Sequence, residues 1–236
     1  MFNIPTVPIY GKKVDKKIIY EKAEIQNHAK NKIIDEIEKI IWAYKISPDT
    51  INIKVGQEVG EIEFLNIELK KETLSSEVLK EIDKIILYHT VFCLISNNEY
   101  KYIICFKSKR ENSEKLDMDK YYETEWTTED LNIDLNVIDL DQLYYKIFSS
   151  ISNIDISNIK NNGFDDKNAN NENTNETTKT DRIKNILRNK DEIEKIKKEI
   201  DRLRKKISKE VQDTERQKMN VRIKELKNKI IKLGGE

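Results

Sequence analysis

Residues 90–108 run TVFCLISNNEYKYIICFKS. Two apolar, β-prone runs flank Asn97-Asn98, and Asn enters the left-handed turn conformation more cheaply than most residues. The stretch therefore reads as a β-hairpin. Upstream, SEVLKEIDKIILYH (76–89) puts Val78, Leu79, Ile82, Ile85 and Ile86 on one helical face behind a Ser75 or Ser76 cap. His89 then falls at the helix C-terminus, where an imidazole meets the dipole.

Further back, EIEFLNIELK (61–70) has Ile62, Phe64 and Ile67 or Leu69 as its apolar set. Its Phe64-Leu65 doublet implies a bulge or a strand covered on both faces. TINIKV (50–55) alternates strictly, a strand signal. NKIIDEIEKIIWAYKI (31–46) carries Ile33, Ile34, Ile37, Ile40, Ile41 and Tyr44 at helical spacing and predicts one helix, stopped by Ser47-Pro48. Downstream, KYYETEWT (120–127) reads as a strand and LDQLYYKIFSSI (140–151) as a closing helix. Together these predict an α+β body over 1–151, a compact, mainly antiparallel sheet with packed helices.

Two further regions differ in composition. Residues 152–180 are dominated by Asn, Asp, Thr and Ser, and from Asn161 onward Phe164 is the only large apolar residue. Such a segment does not bury enough to offset its ordering entropy and is expected to be a flexible linker. Residues 181–236 lack aromatics and Pro, and they carry two apolar seams. Ile193, Ile196, Ile200, Leu203 and Ile207 form one; Met219, Ile223, Leu226, Ile230 and Leu233 form the other. Each has coiled-coil spacing, and the two are out of phase across the polar VQDTERQK. The arm is read as an antiparallel hairpin or as one long helix that changes its buried face.

The whole chain has 236 residues, 43 Lys+Arg and 43 Asp+Glu. That zero balance hides an asymmetry, because residues 181–236 hold 19 basic against 11 acidic side chains. An acidic body with a basic arm points to an extended partner surface, DNA included. Mean hydropathy is −0.72 and no long apolar run occurs, so no membrane span is expected. The leading MFNIPTVPIYGKKVDKK lacks the order of a secretory signal, which predicts a cytoplasmic protein. Cys93 and Cys105 are then expected as buried thiols rather than a disulfide, and no Cys or His spacing suits zinc.

IIWAYKISPDTINI, EIEFLNIELKK, EIDKIILYHTVF, YYETEW and ERQKMNVRIKELKNKI, in this order, resemble a bacterial domain-of-unknown-function family, number 4391. The resemblance covers body and arm. Members are typically encoded beside DNA methyltransferase and helicase genes of restriction-modification or phage-defence type, which implies a role around foreign DNA without implying an activity. Where members often show Ile-Pro-His-Pro, this chain has Ile86-Leu87-Tyr88-His89-Thr90, keeping the His without its prolines.

Two function classes follow. The first is a non-enzymatic accessory or scaffold subunit without a cofactor. Its arm would engage a protein partner, a helicase or methyltransferase, or a second copy, through Ile193, Ile196, Ile200, Leu203, Ile207, Ile223, Leu226 and Ile230. Tyr122, Thr124 and Trp126, on one strand face, would add an aromatic patch. Arg202, Arg204, Lys205, Lys206, Arg222 and Lys224 would reach DNA phosphates. The alternative is a metal-dependent DNA nuclease. Asp49 and Glu68 would hold Mg²⁺ and Lys70 would orient the attacking water, since residues two apart on a strand share a face. Glu36 or Glu38 would complete that site. No phosphate-cradling Gly-rich loop occurs, so nucleotide binding is not expected.

Overall fold

A computed structural model describes residues 1–22, 27–110, 116–157, 159, 178–210 and 212–235. The chain divides into two compact units, Met1–Asn158 and Ile159–Glu236. Most of the expected linker lies outside the described residues.

The first unit is α+β. In chain order it comprises β1 (Phe2–Asn3), β2 (Lys12–Val14), α1 (Lys16–Lys22), α2 (Asn27–Glu36), β3 (Ile37–Ile46), β4 (Ile62–Leu69) and α3 (Ser76–Lys84). There follow β5 (His89–Ser96), β6 (Glu99–Lys109), β7 (Leu116–Glu123), β8 (Leu131–Asn132) and α4 (Leu140–Ser152). Six strands form one sheet in the order β2-β3-β4-β5-β6-β7. Its pairs are antiparallel except β4–β5, where α3 makes the crossover that a parallel pair requires. The tiny β1 and β8 pair parallel apart from this sheet.

The hairpin forms as its sequence demands. Asn97 and Asn98 both adopt positive φ, 50° and 64°, the two-residue turn whose twist matches its strands. One sheet face carries Leu65, Ile67, Phe92, Leu94 and Ile103, covered by Ile19, Ile33, Val78, Leu79 and Ile82 of α1, α2 and α3. Against the other lies α4, with Phe148 packed on Phe106 and Tyr122 at 5.6 and 5.1 Å. The strand β4 is buried on both faces, as the Phe64-Leu65 doublet implied, with Phe64 packed on Phe2 at 5.0 Å on the side away from Leu65. Asp139 caps α4 by accepting from the Gln142 N–H at 2.9 Å.

Three expectations are corrected. The single helix over 31–46 is α2 followed by β3. The strand is bulged between Ile37 and Lys39 and again between Trp42 and Tyr44, each time setting two of its residues against one of β4. Its buried positions thereby become Ile37, Ile40, Ala43 and Ile46, a spacing of three that imitates a helix. TINIKV is no strand. Only Lys54 bridges, to Asp139, and Val55 is exposed. The chain is held there by the turn at Ser47–Thr50 and by Asp141, whose carboxylate accepts from the N–H groups of Gln57, Glu58 and Val59 at 2.9, 3.1 and 2.8 Å. His89 opens β5 instead of closing α3.

The second unit is helical: α5 (Lys179–Ile207) and α6 (Asp213–Lys232). A capping box starts α5. Thr178 Oγ1 accepts from Asp181 N–H at 3.1 Å, and Asp181 accepts from Thr178 N–H at 3.2 Å. Ile193, Ile196 and Ile200 pack on Leu226 and Ile230, with Leu203, Ile223 and Leu233 at the margins. Ion pairs Glu192–Lys229 (2.5 Å) and Glu199–Arg222 (3.4 Å) fix the direction as antiparallel. The arm is thus a hairpin, and the phase change between its seams falls at the turn. Among the described residues no helix is long and apolar enough to cross a membrane.

Candidate functional site

The nuclease constellation does not assemble. Asp49 lies in the turn after β3, beyond the Ile46–Ile62 pair, whereas Glu68 sits six residues farther along β4, roughly 20 Å away at strand rise. Glu68 pairs with Lys39 at 3.1 Å. Lys70 donates to the Ile34 carbonyl at 2.9 Å and stands 4.0 Å from Glu38. Glu68 and Lys70 are each engaged by a neighbour, and Asp49 stands beyond the other end of β4. Among the described residues no group of three His, Cys, Asp or Glu side chains is placed to hold a metal.

His89 belongs to a buried polar network. Its Nε2 lies 3.2 Å from the Lys107 carbonyl, and its ring meets Tyr144 edge-on at 4.5 Å. Burial, then the Lys107 charge, holds its pKa down at about 3, so the imidazole is neutral and its Nε2–H donates. Lys107 spends its ammonium on Asp83 Oδ1 (2.6 Å), the Tyr88 carbonyl (2.8 Å) and Thr90 Oγ1 (3.1 Å). Tyr121 donates its hydroxyl to Asp83 Oδ2 at 2.8 Å. Both charged side chains are within 1% of full burial, so the cluster locks α3, β5, β6 and β7 together and offers no atom to a substrate.

A second polar group faces a cavity. Between α1, α3 and the β3–β4 end of the sheet lies an apolar space of about 280 Å³, with Ile18, Ile40, Leu65, Ile82 and Ile86 among its walls. The wholly buried Glu63 lines it, accepting from the Trp42 indole N–H. Burial, then the neighbouring Glu61 carboxyl, raises the Glu63 pKa to about 9. Glu61 itself pairs with Lys45 at 2.6 Å.

In the helical unit, the seam residues expected to bind a partner fill each other's space. Ile193, Ile196, Ile200, Leu226 and Ile230 are buried within the hairpin, while Ile207 stays only half-buried. Of the phosphate candidates, Arg204 pairs with Asp201, and Arg222 with Glu199 and Glu225. Arg202, Lys205, Lys206 and Lys224 are exposed. The aromatic patch also divides: Tyr122 is buried on Phe148, whereas Trp126 packs on the opposite side with Tyr121 and Ile103. The strand β7 ends at Glu123, so the alternation assumed through Trp126 stops short.

The family model described as Domain of unknown function (DUF4391) matches residues 2–230. The chain belongs to the DUF4391 family. The match takes in both units, so body and hairpin together make up the DUF4391 pattern. No curated protein and no solved structure matches this chain.

The inner groups of this DUF4391 chain escaped the sequence reading for a physical reason. Lys107 and Asp83 look like surface charges in KSK and EIDK. Glu61 and Glu63 left one usable signal: if β4 is covered on both faces, acids alternating within it must point inward.

Proposed function

We propose that this protein is a non-enzymatic accessory subunit of a restriction-modification-like or phage-defence system, with its helical hairpin as the element that reaches the partner. The protein partner this reading implies is a methyltransferase or helicase, and DNA is the surface the hairpin meets. One observation carries it. The hairpin seam is closed from within, so recognition falls to its outer, charged surface, and that surface is net basic. Residues 202–222 hold eight Lys or Arg against three acids. A compact basic projection suits phosphate contact, which is electrostatic and independent of sequence.

The test is fluorescence anisotropy of a labelled duplex with the full chain across a salt series. Binding should weaken with a log–log slope of about −4 to −5, as expected for four to six neutralised phosphates. The combined Arg202→Glu, Lys205→Glu, Lys206→Glu and Lys209→Glu variant should lose most of the affinity while keeping its helicity. Wild-type protein that ignores the duplex at about 50 mM salt would refute DNA contact by the hairpin.

A further inference from the structure

The cavity beside Glu63 is closed by apolar side chains everywhere except at one end. There Glu63 Oε2 accepts from Trp42, and the neighbouring Glu61, outside the lining, pairs through Oε2 with Lys45. The other two oxygens, Glu61 Oε1 and Glu63 Oε1, are buried and receive no hydrogen bond from a third residue among those described; the two carboxyls share the Glu63 proton. Two buried carboxyls that share one proton, with Glu63 of the pair in the wall of an apolar cavity, form a place where a cation would displace that proton. At the mouth Ile18, Leu87 and Tyr88 are 46, 52 and 44% exposed, an apolar rim around an apolar hole.

We propose that this cavity binds a small primary amine with an apolar body, its ammonium group seated at Glu63 and Glu61. Three observations select this class. A carboxyl pair held by one shared proton takes an ammonium in that proton's place, because the ammonium brings N–H donors and a positive charge and a hydroxyl brings no charge. Two carboxyl groups reject an anion. The volume, about 280 Å³ against the roughly 150 Å³ of a cavity that takes benzene, admits a body of one or two rings. The charged and titratable groups around the head are Lys45 from β3, Glu61 just ahead of β4, Glu63 from β4, and Tyr88 ahead of β5, while α1 and α3 present apolar side chains.

The protonation balance adds a signature. Glu63 keeps its proton at neutral pH, so an incoming ammonium displaces it: R–NH₃⁺ and the Glu63 acid give R–NH₃⁺ against the Glu63 carboxylate, and one proton leaves to solvent.

Titration calorimetry of the full chain at pH 7.5 with tryptamine and 2-phenylethylamine tests this, run in two buffers of different ionisation enthalpy. Expected are saturable 1:1 binding, near one proton released, and at least tenfold weaker binding of the matched alcohols, tryptophol and 2-phenylethanol. Glu63→Gln should weaken the amines tenfold or more and abolish proton release. Ile86→Trp, which fills the mouth and leaves the carboxyl pair intact, should block both amines. Tryptophan fluorescence and urea midpoints confirm that each variant is folded. Alcohols binding as tightly as amines, amine binding unchanged in Ile86→Trp, or no binding of either amine at millimolar concentration would each overturn the proposal.

Discussion

Replacing Lys107 by Met keeps the aliphatic stem and removes the ammonium. In the native chain that ammonium makes three bonds, to Asp83, the Tyr88 carbonyl and Thr90, at a site where both charged side chains are excluded from water. Without it, Asp83 remains a buried anion to which, among the described residues, the Tyr121 hydroxyl alone donates. Breaking one side of such a pair costs about 3–5 kcal/mol, most of it the isolation of the remaining charge. For a domain stable by about 5–15 kcal/mol this is a large share, equivalent to about 6–20 °C in Tm. The assay is urea unfolding followed by tryptophan fluorescence. Trp42 and Trp126 both lie in the first unit and the hairpin has no aromatic residue, so the signal belongs to the body alone. The double variant Asp83→Leu with Lys107→Met removes both charges and should recover to within about 2 kcal/mol of wild type, the remainder being the Tyr121 hydroxyl that loses Asp83, since the Tyr88 carbonyl still accepts from Thr90 Oγ1. A Lys107→Met protein within about 1 kcal/mol of wild type, or a double variant as weak as the sum of its singles, would refute the account of the cluster as a coupled lock.

Gly56→Ala should destabilise the body by about 2–3 kcal/mol in the same assay, because a Cβ there would lie 2.0 Å from Asp141 Oδ1 and would displace the carboxylate from its three N–H donors. Glu63 makes stability depend on pH. Its folded pKa is raised from 4.5 to about 9, so the native state holds a proton that the unfolded chain has lost. Stability from this group is therefore full below pH 4.5, declines as pH rises through the window, and is gone above about 9. Urea midpoints of wild type should fall relative to Glu63→Gln between pH 5 and 9; parallel profiles would show that the carboxyl ionises normally.

Much of the architecture was legible where local chemistry and tertiary demand agree. The Asn97-Asn98 hairpin, the β4 doublet, α3 and α4 all announce themselves through turn residues, periodicity and caps. The reading failed at β3, where two bulges stretch the strand's burial period from two to three, so that Ile37, Ile40, Ala43 and Ile46 imitate a helical face. It failed at TINIKV because alternation shows only that a segment is able to pair, while the turn before it and the Asp141 clamp after it leave no neighbouring strand within reach. The candidate site was harder to find. Lys107, Asp83, Glu61 and Glu63 matter because they are inside, and charged residues in a sequence are read by default as outside. The hairpin seam was visible from its spacing, but spacing alone does not say whether its partner is another chain or the same one.

The pairing of β1 with β8 joins Phe2 to Leu131. During synthesis the strand made first thus waits for one made about 130 residues later, an interval of roughly ten seconds at 5–20 residues per second. Until then Phe2, which ends against Phe64 and Tyr102 at 5.0 and 5.6 Å, has its sheet platform but not the strand that holds it there. Closure of this unit is a late, long-range event. A chain halted before residue 131 would have the hairpin and most of the sheet, with its opening segment still undocked.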